Sequence, residues 1–126
     1  MKSFIIALFL GAFLLVSSKI YIAKLESASQ KLLDINASIS QSIENEDFSA
    51  AADSTKKLSD ELSDFETFFA ALGNHQEIDN IETSLAELES FIDGKQKYDA
   101  LSKTNVLTFL FEHLPKNSKL KIENIF

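Results

Sequence analysis

The sequence predicts an all-α protein: an N-terminal hydrophobic anchor helix continuing into an antiparallel four-helix bundle, followed by an irregular C-terminal tail. Three observations carry this. The first 23 residues contain one long apolar run, and the remainder repeats apolar residues at steps of three and four, the period of one helix face. Strand-like alternation is confined to the end, "KLKIENIF", where a lone strand has nothing to pair with. Once the N-terminal segment is set aside, roughly 100 residues remain, enough for one small helical core. The predicted organisation is residues 1–23 as transmembrane anchor or signal segment, 24–114 as helical bundle and 115–126 as a basic and apolar tail.

The opening stretch, "MKSFIIALFLGAFLLVSSKIYIAK", places Lys2 before an apolar run from Phe4 to Val16. A charged start and this length suit a secretory signal, with Val16-Ser17-Ser18 as the cleavage site. As an anchor, Phe4 to Ala23 supplies 20 residues, about the span of a bilayer core, with Lys19 snorkelling to the interface beside Tyr21. Ile20, Tyr21 and Ile22 extend the apolar character past the cut, which favours the uncleaved anchor. The signal-like start favours a single pass with the domain outside the cytoplasmic membrane; the alternative is secretion after cleavage.

Four striped segments follow. The first continues the anchor through Leu25, Ala28, Leu32, Ile35 and Ile39. The second resumes after "ENEDF" with Phe48, Ala51, Ala52, Thr55, Leu58, Leu62, Phe65, Phe69 and Leu72; Asp47 suits its N-cap and Gly73 its left-handed stop. The third, Ile78, Ile81, Leu85, Leu88 and Ile92, ends at Gly94. The fourth, Tyr98, Leu101, Leu107, Leu110, Phe111 and Leu114, ends at Pro115, because proline disfavours helix in the residue before it. Short connections make these helices antiparallel neighbours. If the first rises from the membrane, the fourth returns to it, so the turn around residue 74, His113 and the lysines of the tail share the membrane-proximal end.

Charge narrows the function. The chain carries −7, concentrated in residues 34–99, where sixteen Asp or Glu face four Lys. An acidic body with no arginine lacks the phosphate-neutralising patch and the bidentate base reader, so the sequence argues against nucleic acid as a partner. The absence of cysteine removes disulfides, thiolate ligands and thiol nucleophiles. No Gly-x-Ser-x-Gly elbow or phosphate loop is present in the sequence, which predicts no enzyme and no cofactor.

One stretch, "GNHQEIDNIETSLAEL", concentrates a histidine and three carboxylates between His75 and Glu82. The bundle metal pattern Glu-x-x-His is absent. What remains as a candidate metal set is His75 with Asp79 one turn on, joined by His113 or Glu112 from the fourth helix. The competing reading is helix punctuation: Asn74 as N-cap, Glu77 closing a capping box, Asp79 favoured by the helix dipole, and Glu82, Glu87 and Glu89 on a solvated face. In "FETFF", Phe65 and Phe69 suit the core and Phe68 falls at its edge, where an apolar patch could receive a partner helix.

The "MKS" start with its apolar run, "EDFSAA" at Glu46–Ala51, "HQEIDNIETSL" at His75–Leu85 and the terminal "ENIF" at Glu123–Phe126 resemble the domain-of-unknown-function 4363 family. That resemblance implies a short bacterial membrane-anchored helical protein and carries no assigned activity. Together with the residues, it predicts a non-enzymatic extracytoplasmic bundle that meets the membrane and an envelope protein. The alternative is a ligand- or metal-sensing bundle acting through a partner membrane protein. The Leu25, Ala28, Leu32, Ile35, Ile39 face could serve either a homodimer seam or the bundle's own core.

Overall fold

The computed structural model describes residues 1–69 and 75–125, with side chains described as far as Asn117. It is built of four helices: α1 (Lys2–Glu44), α2 (Phe48–Phe69), α3 (His75–Asp93) and α4 (Lys97–Ile125), with no strand among the described residues. Each packs on its neighbour in the chain, and α4 closes the ring against α1. The apolar run and the first bundle helix form one uninterrupted rod, α1, of 43 residues. From Lys2 to Val16 it is exposed on every side, and its second half is striped into the core.

The core follows a seven-residue repeat in all four helices. On α1 the buried positions are Leu25, Ser29, Leu32, Asn36, Ile39 and Ile43, and on α2 they are Ala51, Thr55, Leu58, Leu62, Phe65 and Phe69. On α3, Ile78, Ile81, Leu85, Leu88 and Ile92 take the same places, as do Ala100, Thr104, Leu107, Phe111 and Leu114 on α4. Alternating steps of three and four give a period of 3.5, the repeat under which helices wind round one another with side chains set into the gaps of the facing helix. The expected faces need adjusting by one position at several points. Ala28 and Ile35 only flank the core, while Ser29 and Asn36 occupy it; Tyr98 lies outside it altogether.

Two corners share one construction. After α1, the Glu46 N–H donates to the Ile43 carbonyl (2.9 Å) and the Asp47 N–H to the Ser42 carbonyl (2.9 Å). After α3, the Lys95 N–H donates to the Ile92 carbonyl (3.0 Å) and the Gln96 N–H to the Phe91 carbonyl (2.8 Å). This paired pattern satisfies the last helical carbonyls and requires a left-handed residue, here Glu46 (φ 58°) and Lys95 (φ 54°). The left-handed residue after α3 is therefore Lys95, one place beyond Gly94, the expected stop. Asp47 then caps α2, its Oδ1 accepting the Ala50 N–H at 3.1 Å, as its position in "ENEDF" suggests. Gly73 and Asn74, read as stop and cap at the next corner, lie outside the described residues, as does Leu72.

A side chain at a left-handed position costs about 1–2 kcal/mol, and glycine's extra freedom in the unfolded chain offsets about half of that. Lys95→Gly is accordingly expected to raise unfolding free energy by about 0.5–1 kcal/mol in denaturant titration of the full chain in detergent. A lowered midpoint would mean that this corner carries no such strain.

The expected irregular tail is corrected: α4 runs 29 residues, straight through Pro115 to Ile125. Pro115 has no N–H for the Phe111 carbonyl, a loss that with ring crowding costs about 3 kcal/mol in a helix interior. Packing outweighs it. Phe111 and Leu114 are fully buried, and Pro115 and Lys116 lie against Glu26, Ser29 and Gln30 of the long α1, which offers α4 a wall beyond the proline. Past it, Asn117 Nδ2 donates to Glu77 Oε1 of α3 at 2.5 Å, tying the continued helix to a second neighbour.

Candidate functional site

The candidate metal set is His75, Asp79 and His113. His75 is exposed at the start of α3. His113 folds back on its own helix: its Nδ1–H donates to the Phe109 carbonyl (2.8 Å) and its ring stacks on Phe109 with centroids 4.0 Å apart. That bond leaves only Nε2 of His113 available as a ligand. No three His, Asp or Glu side chains among the described residues are grouped to hold a metal ion. Asp79 acts elsewhere, its charge being felt at Glu66 of α2.

Glu66 and Glu82 meet across the α2–α3 seam, in a groove of about 320 Å³ that Ser59, Ser63 and Ala86 also line. Burial, then the hydrogen bond with Glu82, then the charges of Glu82 and Asp79 push the Glu66 carboxyl up to about 7. The pair is thus a carboxyl–carboxylate contact that holds one proton near neutrality. Residue by residue, these acids read as a solvated face; only the pairing of two helices brings them together, which no spacing within one helix could disclose.

The consequence for stability has a definite sign. A folded-state value raised above the ordinary carboxyl range means that the folded protein holds this proton more tightly than the unfolded chain. The contribution is therefore full below about pH 4.5 and is lost as pH climbs to about 7. Because Glu66 keeps contact with water, the wild type is expected to be about 1 kcal/mol more stable at pH 5 than at pH 8 from this source. Urea titrations of wild type and Glu66→Gln at both pH values check it: an equal pH dependence in the two proteins would place the effect elsewhere.

The aromatic cluster of α2 is mostly spent inside. Phe65 and Phe69 are buried and stacked with centroids 5.2 Å apart, and the half-buried Phe68 stacks on Tyr21 of α1 at 4.9 Å. Of the Leu25, Ala28, Leu32, Ile35, Ile39 face, read as either a homodimer seam or the bundle's own core, Leu25, Leu32 and Ile39 are buried in the core and Ala28 and Ile35 pack against its edge.

Among the described residues after the N-terminal segment 1–23, the large hydrophobics left in solvent are all on α4: Tyr98 is 80% exposed, Phe109 57% and Val106 38%. At 3.6 residues per turn these three and His113 fall within one arc of about 100°, opposite the core positions Ala100, Thr104, Leu107 and Phe111. The sequence reading places Tyr98 with Leu101 in the core stripe; the structure turns it outward. The signal was available: a helix with apolar residues on two opposite faces buries one against its own bundle and leaves the other.

A family model described as Domain of unknown function (DUF4363) matches residues 20–125. The match covers the bundle and α4 to its end and begins after the "MKS" start. No curated protein and no solved structure matches.

Proposed function

Because the chain belongs to the DUF4363 family, defined by its sequence and without an assigned function, we propose its role from geometry: a non-enzymatic, single-pass helical bundle of the bacterial envelope. In this reading it sits outside the cytoplasmic membrane and binds a second envelope protein through the outer face of α4. The supporting observation is the stripe of Tyr98, Val106 and Phe109, which turns away from the core and stays exposed on one face of α4. Aromatic anchors of this kind, set on a rigid helix, lose little conformational freedom when a partner helix covers them. Continuity of α1 supports anchorage, since a helix that is apolar and bare at one end and core-packed at the other couples the bundle rigidly to whatever holds its N-terminal half. The same N-terminal helix is compatible with a signal sequence.

A photo-crosslinking residue placed at Phe109 in the native cell tests the surface. The expected result is one protein adduct that disappears when Val106→Glu is added and is absent with the crosslinker at Asp60, on α2. Equal adducts at both positions, or none at Phe109, would overturn the docking reading. Intact mass of the membrane fraction tests anchorage: a soluble species beginning at Lys19 would show the N-terminal segment to be a cleaved signal.

A further inference from the structure

We propose that the last turns of α4, residues 116–125, form a foot that rests on the membrane and binds anionic lipid headgroups. This rests on the reading of the exposed half of α1 as a membrane span. The register of α1 against α4 carries the argument. Asn36 of α1 hydrogen-bonds to Thr104 and Thr108 of α4, and Glu26 and Gln30 face the Phe111–Lys116 stretch across one groove. Both helices rise about 1.5 Å per residue, so antiparallel alignment puts Ile22 level with about residue 120 and Ser18 level with about residue 124.

Burial along α1 agrees. Every residue before Ser17 is exposed, whereas Ser17, Ser18, Tyr21 and Ile22 are half-buried, so the covered side of α1 begins where α4 ends. Phe4 to Ala23 spans about 30 Å, the thickness of a bilayer core. The end of α4 therefore stands at the outer edge of that core, and only because the helix continues through Pro115. An irregular chain from Pro115 onward would carry no fixed depth.

Composition at this level suits the place. Over residues 17–26 and 115–125 five lysines stand against two glutamates, while the acidic residues 34–99 carry sixteen carboxylates against four lysines. The positive end of the molecule thus meets the membrane and the negative part stands away from it. Lysines interleaved with Leu120, Ile122 and Ile125 in the sequence match an interface of anionic phosphates over hydrocarbon, where each basic residue adds attraction.

The protein has no cysteine, so a single introduced cysteine carries a nitroxide uniquely. Full-length Leu14→Cys, Gln96→Cys and Ile122→Cys, labelled and reconstituted in phosphatidylcholine vesicles with or without phosphatidylglycerol, report depth through collision with oxygen or with a water-soluble nickel chelate. Leu14 is expected at hydrocarbon depth and Gln96 in water in both. Ile122 is expected at headgroup depth, with nickel accessibility several-fold below that at Gln96, and deeper with phosphatidylglycerol. Exchange of Lys116, Lys119 and Lys121 for Gln should abolish the phosphatidylglycerol dependence. Nickel accessibility at Ile122 equal to that at Gln96 in both vesicles would overturn the foot, and a depth indifferent to phosphatidylglycerol would overturn headgroup binding. A water-exposed Leu14 would instead overturn the span, so the two failures are distinguishable.

Discussion

Asn36→Leu is expected to raise the unfolding free energy of the bundle by about 2 kcal/mol, an unusual direction for a fully buried residue. Asn36 is 1% exposed and donates from Nδ2 to the Thr104 carbonyl and to Thr108 Oγ1, both at 2.9 Å, while its Oδ1 is buried without a partner. Two such bonds contribute about 2 kcal/mol net, and the orphaned oxygen costs about 1–3 kcal/mol. Leucine has the same branched skeleton, forgoes both terms and adds about 2 kcal/mol of apolar burial. Thr108 keeps its own bond to the Thr104 carbonyl at 2.9 Å, so no second group is stranded. Denaturant titration in detergent decides the sign: a midpoint unchanged or lowered would mean that the two bonds outweigh everything else.

The asparagine has a use that such a measurement does not see. The seam of α1 continues backward without a break through Ile22, Ser18, Leu15, Gly11, Leu8 and Phe4, all at core spacing. A slip of α1 by one heptad would thus still offer apolar residues to α2 and α4. Asn36 meets both the Thr104 carbonyl and the Thr108 hydroxyl of α4, and a slip by one heptad would break both bonds, so it fixes the register of α1 in the bundle. In Asn36→Leu, added stability should come with heterogeneity, visible as extra amide resonances from α4.

Much of this architecture was legible because burial in helices leaves a period in the sequence. The third helix shows it most plainly: Ile78, Ile81, Leu85, Leu88 and Ile92 are predicted and are buried. On α1 the same reading erred by one position, preferring Ala28 and Ile35 to Ser29 and Asn36, because a periodicity of apolar residues cannot reveal a core place held by a polar one. The metal set His75, Asp79 and His113 was a grouping by sequence and by end of the bundle; helix phase turns His113 onto Phe109 and brings Asp79 toward Glu66. The acid pair depends on which helix stands beside which, information that no single helix carries.

Pro115 shows the same competition decided the other way, and substituting it measures the margin. Pro115→Ala is expected to stabilise the protein by about 1–2 kcal/mol: restoring the N–H and removing the ring clash is worth about 3 kcal/mol, less about 1 kcal/mol for the looser unfolded chain and a similar loss of ring contact with α1. The new amide at position 115 then becomes a reporter. Slow hydrogen exchange there means that it donates to the Phe111 carbonyl within a regular helix, whereas fast exchange with unchanged stability would mean that the contacts of α4 with α1 hold the helix here without that bond. The local sequence ends the helix at this residue and the long α1 continues it, so the substitution weighs local preference against tertiary wall. It also sets how firmly the segment beyond, with Lys116, Lys119 and Lys121, is held at its depth.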